Sequence, residues 1–413
     1  MGQTDYDIVI AGAGQAAAQC AQSLRQGGFP GSIAIIGDED AAPYERPPLS
    51  KEYLAGKRDA ARLALRKPEY WQEKQVSLLT GRRVTAVDRA ERTLTLTDGA
   101  RVGYGKLIWA TGGRPRRLSC PGAGLAGVHA IRTIADIDAL KADLVPGARV
   151  VIVGGGYIGL ETAAVLRAMG HEVTVLEAQE RLLARVTSPP VSAFYAELHR
   201  RHGVDVRLSA QVSALRGEGR VNGVELSDGS LIQADIVIVG IGIIPNVEPL
   251  ALAGLPCPNG VVVDALCRTQ DPHILAIGDC ALHPNAFAGR AIRLESVQNA
   301  VDQGKVAADT ILGLEKPYAA LPWFWSDQYD VKMQAAGLAM DYEQVLVRGD
   351  TTAPGFSVLY LRDGRLIAID CLNNARDFIQ AKALITGGKL IDAARAADPS
   401  VELKAVIDGE QAA

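Results

Sequence analysis

A glycine-rich turn that occurs twice, each time in the same local setting, constrains this chain more than any other feature. Gly12-Ala13-Gly14-Gln15-Ala16-Ala17 follows the β-branched run that starts at Tyr6 and opens an alanine-rich stretch closing at Gly28. Gly154-Gly155-Gly156-Tyr157-Ile158-Gly159 follows Arg149-Val-Val-Ile-Val153 and opens a helical stretch closing at Gly170. Glycines placed so between a strand and a helix allow a sharp bend and a close backbone approach to a pyrophosphate. The helix N-terminus then offers N–H groups and a partial positive charge to that anion. Asp38 and Glu177 each end the second strand of their unit, about 20 residues beyond the turn, where a carboxylate can grip an adenosine ribose. One such turn is weak support for a dinucleotide site, but two in matching context point to two dinucleotides and to hydride transfer between a flavin and a nicotinamide.

Short apolar runs recur at Ser32–Gly37, Lys106–Gly112, Glu172–Glu177, Asp235–Gly240 and His273–Gly278. Near-continuous apolar strands of this length belong to parallel sheets covered on both faces, so the fold class is α/β with two Rossmann-like units. Each unit carries a strand-rich insert, Val84–Tyr104 in one and Val206–Ile232 in the other, with Asp-Gly turns that read as hairpins. Beyond Pro322 a hairpin over Phe356–Asp370 and a helix over Ala375–Ile385 read as a smaller α+β domain. The expected division is 1–112 with 243–320, then 113–242, then 321–413.

Composition removes other classes. With 43 Lys plus Arg against 47 Asp plus Glu in 413 residues, the net charge of −4 is wrong for general nucleic-acid binding. Hydrophobic residues at 48% and charged residues at 22% exclude disorder as the dominant state. The longest apolar stretch, Ile236–Pro245, is far short of the roughly 20 residues a membrane span needs. The Met1–Asp5 start has none of the features of a signal peptide, so a cytoplasmic location is expected. Six scattered cysteines form no CxxC and no Cys/His cluster, so neither a metal site nor an internal dithiol is expected; Cys257 and Cys267 have no assigned role.

Further segments suit a flavoprotein. Ala110-Thr111-Gly112 follows a strand where the chain can return to a cofactor, and Gly278-Asp279 places an acid just beyond a buried strand. Glu177 disfavours a 2′-phosphate by roughly 1–4 kcal/mol per unit charge, which favours NADH, whereas Arg181 and Arg185 are able to host a phosphate.

The order of GAGQAAA, PYERPPLSK (Pro43–Lys51), ATGGRPR, GGGYIGLE, GIGIIPN (Gly240–Asn246), AIGDC and PWFWSDQYD (Pro322–Asp330) resembles the NADH-dependent ferredoxin reductases that serve bacterial oxygenases. The resemblance covers essentially the whole chain and implies a glutathione reductase-like pair of dinucleotide domains under a C-terminal domain. It implies non-covalent FAD at Gly12 to Ala16, Asp38, Glu39, Arg46, Lys51 and Val84, continuing at Ala110 to Gly112, Arg132, Gly278, Asp279, Ser296, Val297 and Trp325. It implies NADH at Gly154 to Gly159, Glu161, Glu177, Arg185 and Gly240-Ile241-Gly242. Lys51 and Glu161 meet beside the flavin ring in the resembling proteins, where the lysine stabilises negative charge on the reduced ring. The partner implied is a [2Fe–2S] ferredoxin docking near Lys305, Lys382, Lys404 and Trp323, in a monomer or homodimer. Related thiol-dependent enzymes place a reactive cysteine near Pro43–Lys51 or a dithiol on the first helix, and this chain has neither. Alternatives left open are an NADH oxidase or quinone-type reductase, a rubredoxin reductase, and a redox-sensing binding protein.

Overall fold

The computed structural model describes residues 4–352 and 354–407. Residues 1–3, on which the expectation about a signal peptide partly falls, and 408–413 of the expected C-terminal domain lie outside the described residues. The chain divides into two compact units, one formed by 4–46, 60–114 and 243–320, the other by 47–59, 115–242 and 321–407.

In the first unit the parallel strands Val76–Leu79, Ile33–Ile36, Asp5–Ala11, Arg101–Trp109 and Ile274–Ala276 lie side by side in that order. Ile8 pairs with Ile33 and with Lys106, so this central strand is buried through Ile8–Ala11. That explains its unbroken apolar run. Thr93–Leu96 and Val84–Asp88 extend the sheet antiparallel, as the Asp-Gly turn predicts. Helices Gln15–Gln26 and Val297–Ile311 pack with one face of the sheet through Ala17, Ala21, Ala307 and Ala308.

The second unit repeats the plan with parallel strands Asp205–Arg207, Glu172–Leu176, Arg149–Val153, Ile236–Val239 and Val128–Ala130. Helix Tyr157–Ala168 follows the glycine turn, and a three-stranded antiparallel insert spans Val212–Gln233. The same unit contains a five-stranded antiparallel sheet in the order 323–328, 331–337, 365–372, 356–362, 344–348, with helix Ala375–Gly387 beside it. Its central hairpin turns at Asp363-Gly364, both with positive φ (51° and 67°), the type I′ geometry that Asp-Gly favours. The α/β expectation with two Rossmann-like sheets and a C-terminal sheet therefore holds. Among the described residues no helix is long and apolar enough to cross a membrane.

Candidate functional site

In the first unit Gly12 sits at φ +109°, and a Cβ there would meet the Ala110 carbonyl oxygen at 2.2 Å. Only glycine allows the turn to pass so close to the Ala110-Thr111-Gly112 segment. Gly14 is the N-cap of helix Gln15–Gln26 and offers no side-chain cap, and a Cβ on it would meet nothing within 4 Å. The first-turn N–H groups at Gln15, Ala16 and Ala17 therefore face an open cradle that a pyrophosphate fits. The neighbouring segments are pinned. Thr111 Oγ1 donates to the Asn246 carbonyl at 2.7 Å, Trp109 Nε1 donates to the same oxygen at 2.8 Å, and the Gly278 N–H donates to Gln303 Oε1 at 2.7 Å. Ser296 caps helix Val297–Ile311 by accepting the Asn299 N–H at 3.1 Å. Asp38 is exposed, whereas Glu39 is held by Arg46 at 2.6 Å and by the Tyr44 hydroxyl at 2.5 Å. Val84 is buried in the core of this unit. Asp279 is half-buried, and its carbonyl accepts a bond from Arg293.

The second unit repeats the construction with one addition. Gly154 has φ +114°, and its Cβ would lie 2.4 Å from the Gly240 carbonyl; Gly156 caps helix Tyr157–Ala168 and faces open space. Gly159 packs so closely that a Cβ would meet the Gly154 carbonyl at 2.2 Å. Here the strand-end acid is tied to the turn, since Glu177 accepts the Gly155 N–H at 2.8 Å and the Gln179 N–H at 2.9 Å. Ile158 and Arg185 are exposed, and the Gly242 carbonyl accepts the Arg116 N–H at 2.9 Å. Arg181, by contrast, spends its guanidinium on the Thr187 and Ala184 carbonyls and the Ser192 hydroxyl. The expectation that it is able to host a phosphate is corrected, and Arg185 is left as the arginine of that pair with an exposed side chain.

Lys51 and Glu161 stand 110 residues apart in sequence and meet within the second unit, Nζ to Oε2 at 2.6 Å. The Pro47–Ser50 turn delivers Lys51, and the Ser50 hydroxyl donates to the same carboxylate oxygen at 2.8 Å. The third donor is Ser326, whose hydroxyl reaches Oε1 at 2.7 Å. Strand Trp323–Gln328 alternates, so Phe324 and Ser326 share a face. Tyr157 and Glu161 stand one helical turn apart and meet that face. Phe324 lies on the Tyr157 ring at 4.7 Å, and Ser326 reaches Glu161. Ser50, Ser326, Gln328 and His199 were missed by the sequence reading; the signal was the switch from three aromatic residues to Ser326-Asp327-Gln328 within one strand.

Of the residues assigned to FAD by resemblance, Lys51, Arg132 and Trp325 belong to the second unit and the others to the first. Arg132 is half-buried, and its backbone N–H donates to Asp136 at 3.2 Å. Trp325 lies 5.6 Å from Trp323. Among the lysines, Lys305 pairs with Asp302 at 3.2 Å and Lys404 with Glu402 at 2.8 Å. Lys382 instead lies over the Trp323 ring at 5.3 Å and the Phe378 ring at 4.8 Å. All six cysteines are free thiols, and burial raises those of Cys20, Cys267, Cys280 and Cys371 above the ordinary thiol range.

Comparison with known proteins places this geometry in context. The pyridine nucleotide-disulphide oxidoreductase profile matches residues 6–304 and the reductase C-terminal profile matches 323–407. The chain is 52% identical over 407 residues to a ferredoxin–NAD(P)(+) reductase of a Sphingomonas species, covering 98% of each chain. It is 50% identical over 402 residues to the ferredoxin reductase subunit of a 5,5′-dehydrodivanillate O-demethylase from a Sphingobium species, covering 97% of this chain and 98% of the other. The solved structure of a covalent putidaredoxin reductase–putidaredoxin complex superimposes with a TM-score of 0.93 at 40% identity, covering 98% of each chain.

Proposed function

This chain belongs to the pyridine nucleotide-disulphide oxidoreductase family, and on that premise we propose that it is an NADH-dependent ferredoxin reductase. It is an oxidoreductase that uses FAD and a nicotinamide dinucleotide. In our reading residues 1–112 with 243–320 take the FAD, 113–242 take the NADH, and 321–413 form the C-terminal domain. The electron acceptor is a [2Fe–2S] ferredoxin that feeds an oxygenase. The ferredoxin-linked names of the relatives support that acceptor. The observation that carries the reading is chemical: none of the six cysteines lies in Pro43–Lys51, none pairs with Cys20 at helical spacing on the first helix, and burial raises the thiols of Cys20, Cys267, Cys280 and Cys371. With no internal thiol acceptor, electrons have to leave the protein.

Bound FAD supplies the two-electron-to-one-electron conversion, taking a hydride and releasing electrons singly. The residues supply position and charge. The uncapped helix ends at Gly14 and Gly156 hold the two pyrophosphates. Glu177, already fixed on its loop by two N–H donors, accepts the adenosine ribose hydroxyl and repels a 2′-phosphate. Lys51, tethered to Glu161, places one positive charge at the flavin. Lys382 over Trp323, with Lys305 and Lys404, steers an acidic ferredoxin. We place the protein in the cytoplasm.

The test is NADH-driven reduction of cytochrome c with and without an added [2Fe–2S] ferredoxin. The proposal expects reduction to depend on the ferredoxin, with ferricyanide reduced in either case. Equal cytochrome c rates without ferredoxin would assign the protein to the oxidase or quinone-reductase alternatives.

A further inference from the structure

We propose that Ser326, Gln328 and His199 are positioning residues that aim the Glu161 carboxylate, and through it the Lys51 ammonium, for the bound flavin. This rests on the reading above that Lys51 faces the flavin. None of the three belongs to the glycine turns.

The four residues form one hydrogen-bonded line within the second unit. Ser326 Oγ lies 2.7 Å from Glu161 Oε1, Gln328 Nε2 lies 3.2 Å from Ser326 Oγ, and His199 Nε2 lies 2.8 Å from Gln328 Oε1. The Tyr329 hydroxyl lies 3.3 Å from His199 Nδ1. Proton placement follows from the donor inventory. The single Ser326 hydroxyl hydrogen goes to the carboxylate, so Ser326 has to accept from the Gln328 amide NH2. The Gln328 carbonyl then faces His199, which must carry its hydrogen on Nε2. Nδ1 is left as an acceptor for Tyr329. Every donor in the line therefore points toward Glu161.

Burial makes this arrangement informative. His199 and Ser326 are 0% exposed, Gln328 is 1% exposed, and Glu161 is 4% exposed. Polar side chains this deep cost folding free energy unless each is satisfied, and an apolar side chain would fill the same space without that cost. Burial also pushes the His199 ring down to about 4, so it stays neutral and keeps its accepting nitrogen. Glu161 faces a single ammonium, Lys51, and three donors divide between its two oxygens: Ser50 and Lys51 on Oε2, Ser326 on Oε1. Fixing Oε1, the oxygen that Lys51 does not use, stops the carboxylate from rotating and drawing the ammonium with it. Charge-assisted bonds of this kind are the strong ones, so losing one changes where the pair sits.

The experiment is the midpoint potential of FAD in the purified holoenzyme, titrated anaerobically against reference dyes. Ser326→Ala should lower it by about 30 mV, equivalent to tenfold weaker stabilisation of the reduced form for a two-electron couple. Ser326→Thr, which keeps the hydroxyl, should restore it. Because Ser326 acts through Glu161, adding Ser326→Ala to Glu161→Gln should change the potential no further. Gln328→Leu should shift the potential in the same direction as Ser326→Ala, and it serves as the test variant if Ser326→Ala does not fold. A Ser326→Ala holoenzyme with the wild-type potential, or shifts that add in the double variant, overturns the proposal. Lys51→Met separates the two claims. If it leaves the potential unmoved, the placement of Lys51 at the flavin fails, and this inference fails with it.

Discussion

The two glycine turns solve the same backbone problem and handle their acids differently. Gly12 and Gly154 have nearly the same φ, +109° and +114°, and each abuts a carbonyl that would collide with any Cβ. Gly14 and Gly156 each cap a helix over open space. In the first unit, however, Asp38 stands exposed while Glu39 is occupied by Arg46 and Tyr44. In the second, Glu177 is fastened to the turn through the Gly155 N–H. The backbone of a dinucleotide turn is thus set by sterics alone. In the proposed function its selectivity for the sugar rests on a single carboxylate, and Glu177 of the second unit is the one fastened to its turn.

The largest effects should come from breaking the shared part. Gly12→Ala should give a colourless protein that has lost FAD, whereas Gly154→Ala should stay yellow and lose NADH binding. Each forces a side chain into a positive φ against a carbonyl, at about 2–4 kcal/mol, and visible absorbance with NADH titration separates them. Gly14→Ala and Gly156→Ala meet no protein atom and should keep the melting temperature, while weakening the respective dinucleotide about tenfold by occupying its cradle.

Next come the acids. Glu177→Ala should relax the NADH over NADPH preference at least about fivefold in kcat/KM, from the loss of roughly 1–4 kcal/mol of repulsion. Asp38→Ala should leave that ratio unchanged and loosen only FAD. Equal effects would show that the second unit's fastening of its acid has no bearing on cofactor choice.

A smaller effect concerns the buried polar line found only in the second unit. The folded value for His199, about 4, lies below its ordinary 6.5. Its contribution to stability is therefore complete above pH 6.5 and falls as the pH drops toward 4, because the unfolded chain takes up the proton first. Asp370, pushed up to about 6 from 3.8 by burial, works in the opposite sense between those values. The difference between wild type and His199→Gln isolates the histidine: the variant should show a flatter melting temperature between pH 6.5 and 4. The smallest effects belong to the surface. Lys382→Glu, which loses a cation over two rings, should slow ferredoxin reduction several-fold. Glutamates at Lys305 and Lys404, already paired with acids, should slow it less, and ferricyanide reduction should stay constant in all three.

Much of this was legible in the sequence because it is local. Glycine spacing, apolar runs and Asp-Gly turns fix backbone geometry within a few residues, so the two sheets, the hairpins and the cradles could be placed from it. The failures were long-range. Nothing near Pro47–Asp59 announces that the segment belongs with the second unit, or that Ser50 meets the Glu161 carboxylate 111 residues away; the Lys51–Glu161 pair was expected through the family resemblance alone. Ser326 and Gln328 looked like ordinary strand residues until helix Tyr157–Ala168 supplied the facing Glu161. Arg181 looked able to bind a phosphate because its carbonyl partners come from a loop whose path no periodicity encodes.

The most direct measurement is an anaerobic sequential-mixing experiment on the purified yellow protein. One equivalent of NADH is added first, and then an excess of oxidised [2Fe–2S] ferredoxin. The account predicts rapid bleaching of the flavin band, then its return as two ferredoxins are reduced per NADH consumed. Bleaching that ferredoxin cannot reverse, while oxygen or a quinone can, would contradict it.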